Sequence, residues 1–147
     1  MASLDDVRRL VALDHGLATA STVRPDGSLQ TTVVNAGVVT HPVDGHEVAA
    51  FVARGGTHKL EHMRSDPRAT LSWRAGWAWV TVEGGVELCG PDDSLTGVTD
   101  ADRRLLLRAI FAAAGGEHED WAEYDRVMDA ERRVAVLVTP HRIYQNP

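Results

Sequence analysis

Short apolar runs of period two, each closed by a turn signal, fill much of this chain and constrain it to antiparallel strands joined as hairpins. Leu17–Val23 reads as a strand, and Arg24-Pro-Asp-Gly27 behind it carries the proline and glycine of a tight turn. A longer strand spans Leu29–Val39, His41-Pro-Val-Asp-Gly-His46 makes a second hairpin connection, and Glu47–Val52 follows. Ala69–Trp73 and Trp77–Cys89 flank the turn Ala75-Gly76. In the latter strand Trp77, Trp79, Thr81 and Glu83 alternate against Ala78, Val80 and Val82, so both tryptophans are expected on one face. The chain returns at Val134–Thr139, with Pro140 and an extended tail through Tyr144. Hairpins that close on themselves leave no exposed edge, so a small antiparallel barrel is expected.

Helical spacing appears in four stretches. Ser3 and Asp6 read as a capping pair for a helix with Leu4, Val7, Leu10 and Val11 inward, ending at His15-Gly16. After Gly55-Gly56, Leu60 and Met63 form the inward pair of a short helix that Asp66-Pro67 stops. Thr99 and Asp102 cap a third, with Leu106, Ala109, Ile110 and Ala113 inward, and Gly115-Gly116 separates it from a fourth around Trp121, Tyr124, Val127 and Met128. The fold class is therefore mainly β with flanking helices (α+β), and 147 residues suit one domain over 1–147.

A net charge of −6 argues against nonspecific nucleic-acid binding. No apolar run reaches the roughly 18 residues of a membrane span, and the acidic N-terminus lacks the pattern of a secretory signal. Cys89 is the only cysteine, which excludes an internal disulfide and fits a reducing cytoplasm; at a strand end it reads as a small core residue.

The charge is unevenly spread. Arg54, Lys59, Arg64, Arg68 and Arg74 fall close together with His58 and His62, opposed only by Glu61 and Asp66. Lys59 is the single lysine beside fourteen arginines. A compact ammonium next to two glycines, Thr57 and a helix start is suited to a phosphate; coding bias toward arginine and a solvated helix face are the plain alternatives. His58-Lys-Leu-Glu-His62 has the H-x-x-E-H spacing of some zinc sites. A two-turn helix, a lysine between the histidines and the lack of a third ligand argue against it, and no metal is expected. Trp77 and Trp79 serve either packing at a subunit contact or as aromatic walls for a flat heterocycle.

Four segments in order, Leu17-Ala-Thr…Arg24-Pro-Asp-Gly27, Thr32-Val-Val-Asn-Ala-Gly37, Gly56-Thr-His-Lys-Leu-Glu-His-Met-Arg-Ser-Asp-Pro-Arg68 and Trp77-Ala-Trp-Val-Thr-Val-Glu-Gly84, resemble the pyridoxamine-phosphate-oxidase-like superfamily. Within it the chain is most similar to the flavin/deazaflavin oxidoreductases that use coenzyme F420. The resemblance runs from about Leu4 to Pro147 and implies a split β-barrel, a homodimer and a cofactor in each interface groove. It implies a cofactor phosphate at Arg54, Thr57, His58 and Lys59, and a ring along Thr32, Val33, Val34 and Asn35. It further implies pocket residues from the partner subunit, for which Trp77 and Trp79 are the candidates. Arg64 is the candidate for the oligoglutamate tail of coenzyme F420. Two positions depart from the family pattern: His62 replaces the common asparagine, and Val34-Asn35 replaces an aromatic-containing strand end. The function so implied is hydride transfer between coenzyme F420 and an unsaturated or heteroaromatic small molecule, with no catalytic side chain assigned. FMN-dependent chemistry and non-catalytic binding of a flavin, deazaflavin or haem are the alternatives.

Overall fold

The computed structural model describes every residue from Met1 to Pro147. Its strands are β1 (Leu17–Val23), β2 (Leu29–Thr40), β3 (Glu47–Ala53), β4 (Arg68–Ala75), β5 (Ala78–Cys89) and β6 (Val134–Gln145). They form a closed barrel in the order β1-β2-β3-β6-β5-β4, every pair antiparallel. Closure comes from Ala18–Ser21 of β1 pairing with Thr70–Trp73 of β4, which leaves no sheet edge. The helices are α1 (Leu4–Leu13), α2 (His58–Ser65), α3 (Asp100–Ala113) and α4 (Trp121–Ala130). This is the split-barrel α+β fold expected from the strand pattern and the resemblance. None of its helices is long and apolar enough to cross a membrane.

The capping residues do what their spacing requires. The Ser3 hydroxyl accepts from the Asp5 N–H, and the Asp6 carboxylate accepts from the Ser3 N–H at 2.8 Å. At α3, Thr99 and Asp102 make the same reciprocal pair at 3.1 and 3.0 Å.

Two cores share the barrel wall. Inside, Phe51, Leu71, Trp73, Val80, Val82, Val136 and Val138 pack with Val7 and Leu10 of α1 and with Leu60 and Met63 of α2. The buried Trp73 indole N–H donates to the Ala36 carbonyl at 3.0 Å. Outside, Ala50 and Leu137 meet Leu106, Leu107, Ile110 and Tyr124. Val48–Phe51 and Val134–Val138 are therefore buried without alternation, because interior side chains lie on one side of these strands and the α3–α4 hairpin on the other.

Three local expectations are corrected. Ala109 is exposed, while Leu107 and Ala114 are buried, because α3 presses on both the barrel and α4. Trp77 does not share a strand face with Trp79. It sits with Gly76 (φ 63°) in the two-residue turn between Ala75 and Ala78 and is 93% exposed. Trp79 lies in β5 and packs edge-on against Tyr144, ring centres 6.1 Å apart. Pro140 does not end the last strand. It pairs with Gly84 at a register shift between Glu83 and Gly84, where a residue without an N–H is tolerated.

α3 reaches the barrel through glycine. A Cβ on Gly37 would lie 2.5 Å from the Ala113 carbonyl carbon and 2.8 Å from the Ala114 nitrogen. Gly37→Ala is expected to cost about 1–3 kcal/mol by forcing α3 off β2. Urea unfolding checks this, and unchanged stability would show that the helix has room to spare.

Candidate functional site

Where α3 leaves β2, the hairpin and the barrel separate. Gly37 touches Ala113, and Asn35 lies beside Ala114. With its NH2 turned inward, the Asn35 amide donates to the carbonyls of Ala114 and His15 at 2.9 Å each. Beyond this clamp Val33 is 68% exposed. The gap is a cavity of about 520 Å³, within the roughly 300–1,000 Å³ range of small-ligand sites. Its floor is Val33, Val34, Asn35, Val52 and Ala53; its roof is Ile110, Phe111, Tyr124, Val127 and Met128.

One end of the cavity is cationic. Arg54, Thr57, Lys59 and Arg133 line it, where β3 turns into α2. Gly56 has φ 81°, a left-handed conformation that glycine adopts without penalty. A Cβ on Gly55 would press on the Arg132 carbonyl at 2.7 Å, so the α4–β6 turn can seat against this loop only at a glycine. Arg133 holds Glu131 at 2.9 Å, whereas Lys59 and Arg54 have no carboxylate partner. Burial first, and Arg133 second, hold the Lys59 ammonium below its ordinary pKa. The Thr57 hydroxyl neither caps α2 nor finds another partner, although it is buried. An orphaned buried hydroxyl beside uncompensated cations is the arrangement that a bound oxyanion would complete.

The structure brings together Val33, Val34, Asn35, Arg54, Thr57 and Lys59 of the residues singled out from the sequence. The others lie elsewhere. Thr32 lies on the inner side of β2, its hydroxyl buried without a partner. His58 points outward, its side chain 80% exposed and 3.9 Å from Glu61. Arg64 grips Asp93 with bonds of 2.9 and 2.6 Å, so its charge is already met. Trp77 and Trp79 are absent from the lining, so within the chain they do not touch this cavity. His62, at the departing family position, has Nδ1 3.0 Å from the buried Thr22 hydroxyl and braces α2 on β1.

The H-x-x-E-H histidines thus turn to different partners and assemble no ligand set. A separate group, His41, Asp44 and His46, brings potential ligand atoms within 4.8 Å of one another. Its buried member is spoken for: His41 Nδ1 accepts from the Val43 and Asp44 N–H groups, and Nε2 donates to Glu87 at 2.9 Å.

Pattern reading missed the whole roof and Arg133. The Gly115-Gly116 break and the two amphipathic helices were visible, but apolar spacing reads as core packing whether a face meets protein or a cavity. Tyr124 shows the mixture. Its hydroxyl donates to the Leu107 carbonyl at 3.0 Å, and burial pushes its pKa up to about 12.

The chain belongs to the pyridoxamine 5'-phosphate oxidase family, whose pattern matches residues 4–146. The fold is similar to that of the conserved hypothetical protein Rv2991 from Mycobacterium tuberculosis, at 18% identity and a TM-score of 0.69 over 99% of this chain and 84% of that one. It is similar to an F420 reductase at 19% identity and a TM-score of 0.58, over 91% of this chain and 93% of the other. A pyridoxamine 5'-phosphate oxidase-related, FMN-binding protein from Nostoc punctiforme matches at 15% identity and a TM-score of 0.59, over 97% of this chain and 79% of that one. At these identities the likeness is one of fold.

Two outcomes are expected at the cationic end. Thr57→Val removes an unsatisfied buried hydroxyl, so the ligand-free protein should melt at the same or a higher temperature while protection by inorganic phosphate falls. Lower stability without ligand would mean that the hydroxyl is satisfied in solution. The lowered Lys59 pKa makes the unfolded chain hold the extra proton, so ligand-free stability should rise with pH through the window between the lowered and ordinary lysine values. Denaturation across alkaline pH checks this, and Lys59→Met should flatten the rise.

Proposed function

We propose that the protein is an oxidoreductase that holds a phosphate-bearing flavin-type cofactor in this cavity and transfers a hydride to or from a flat, unsaturated small molecule. The observation that carries the reading is the buried, partnerless Thr57 hydroxyl beside Lys59 and Arg54 at the end of an apolar slot. The residues fit the group. Lys59 and Arg54 would neutralise a phosphate, and Thr57 would donate its hydroxyl to it. Val33, Val34 and Val52 would form a bed for a planar ring, leaving its other face toward Phe111 and Tyr124 for the substrate. When bound, such a cofactor supplies the hydride chemistry itself, and the protein contributes orientation and a dry setting. That division of labour suits a lining with no partnered nucleophile and no carboxylate.

Coenzyme F420 is the first cofactor proposed, supported by the family resemblance of the glycine-to-lysine segment. FMN is the second, favoured by one observation: Arg64, the residue read as meeting an oligoglutamate tail, is already paired with Asp93. A homodimer belongs to the same proposal. The exposed Val33 joins the cavity to the outward residues Leu17 and Leu29, so a second copy over β1 and β2 would close the open side.

A binding isotherm with each cofactor tests the reading. Lys59→Ala should weaken the preferred one by about 1.5–3 kcal/mol, the range for a hydrogen bond to a charged group, with little effect on folding. Binding of neither molecule, or an affinity indifferent to Lys59, would defeat it.

A further inference from the structure

The roof of the cavity is apolar with one exception. Ile110, Phe111, Val127 and Met128 offer no strong hydrogen-bonding group, and the Tyr124 hydroxyl is committed to the Leu107 carbonyl. His118, in the loop between α3 and α4, is left. Its Nδ1 accepts the N–H of Asp120, the N-cap of α4, at 3.1 Å. A ring nitrogen that accepts carries no hydrogen, so the neutral imidazole bears its hydrogen on Nε2. Aromatic neighbours hold the ring: Trp121 is stacked on it at 6.1 Å and 29°, and Tyr124 meets it edge-on at 5.7 Å. Orientation is therefore set without using Nε2–H, which has no partner within the chain.

We infer that His118 Nε2–H determines substrate specificity, by donating a hydrogen bond to a carbonyl oxygen, nitro oxygen or ring nitrogen of a flat aromatic substrate lying against Phe111. The inference rests on the proposed function for the site's redox role, while the donor itself is defined by the geometry of the roof. Hydride addition to a conjugated acceptor pushes the electron pair onto the heteroatom at the far end of the system. A fixed donor at that atom stabilises the charge that develops there. The acceptor gains a hydride from the reduced cofactor and a proton from water, and the hydroxide left behind is neutralised by buffer. His118 does not give the proton, because losing it from Nε2 while Nδ1 accepts from Asp120 would leave an imidazolate. It orients and polarises, and it selects for ligands with an acceptor atom conjugated to the reducible bond.

Quinoxaline and naphthalene test this, since they share a shape and only quinoxaline carries acceptor nitrogens. In the intact ligand-free protein, His118→Phe should weaken quinoxaline binding about five- to tenfold and leave naphthalene within about twofold. His118→Gln, which keeps a side-chain N–H, should recover most of the loss. With 15N-labelled histidine, the His118 Nε2 resonance should move on adding quinoxaline and stay put with naphthalene. Failure of quinoxaline to bind, or equal affinity in wild type and His118→Phe, overturns the inference. Phosphate protection measured in parallel keeps the two readings apart: its absence in the wild type counts against the cofactor site, whereas the quinoxaline comparison is decided by His118 alone.

Discussion

Closure of the barrel is the constraint on which everything else in this molecule rests. Closing six strands into a ring requires long strands to bend, and β5 and β6, two of the three twelve-residue strands, do so at the register shift beside Gly84 and Pro140. A Cβ on Gly84 would lie 2.8 Å from the Thr139 carbonyl carbon, so the bend depends on the missing side chain. With the ring closed, β1 and β4 satisfy each other's backbone groups and no edge remains for another chain to pair with. The closed wall then has an inside, filled by Phe51, Trp73 and the valines, and an outside that a second layer can use.

That second layer explains why a cavity exists at all. The α3–α4 hairpin is pinned where small side chains let backbones touch, at Gly37 and through the Asn35 amide, and it stands off where Val33 begins. A protein interior without such a mismatch packs to near-crystalline density. Around the cationic end, ion pairs do structural work: Arg64–Asp93 and Arg132–Asp92 tie the loop after β5 to α2 and to the turn before β6. These arginines are neutralised by their partners, and the charge left free falls on Lys59 and Arg54. The lysine noticed in the sequence is therefore one of two cations at the cavity that the fold leaves without a carboxylate.

Membership of the pyridoxamine 5'-phosphate oxidase family and the shared barrel define the fold of the protein. A fold does not by itself fix a function, so function has to be argued from the site. Here the site argues through what is unsatisfied: one hydroxyl, two cations and one imidazole N–H around an apolar slot.

The order of strands and helices was legible in one dimension because turn residues and capping pairs act locally. Arg24-Pro-Asp-Gly27, Ser3 with Asp6, and Thr99 with Asp102 each carry their own geometry, and the period-two and period-3.6 patterns between them did the rest. The cationic corner was legible for the same reason, since Gly55 to Lys59 is one contiguous stretch. The tertiary structure alone decided that Arg64 is spent on Asp93, that Trp77 belongs to a turn, and that His118 and Arg133 join Lys59 around one space. Those relations connect residues tens of positions apart, and no local spacing encodes which of two opposite charges, or which of several apolar faces, will be the neighbour when the chain closes.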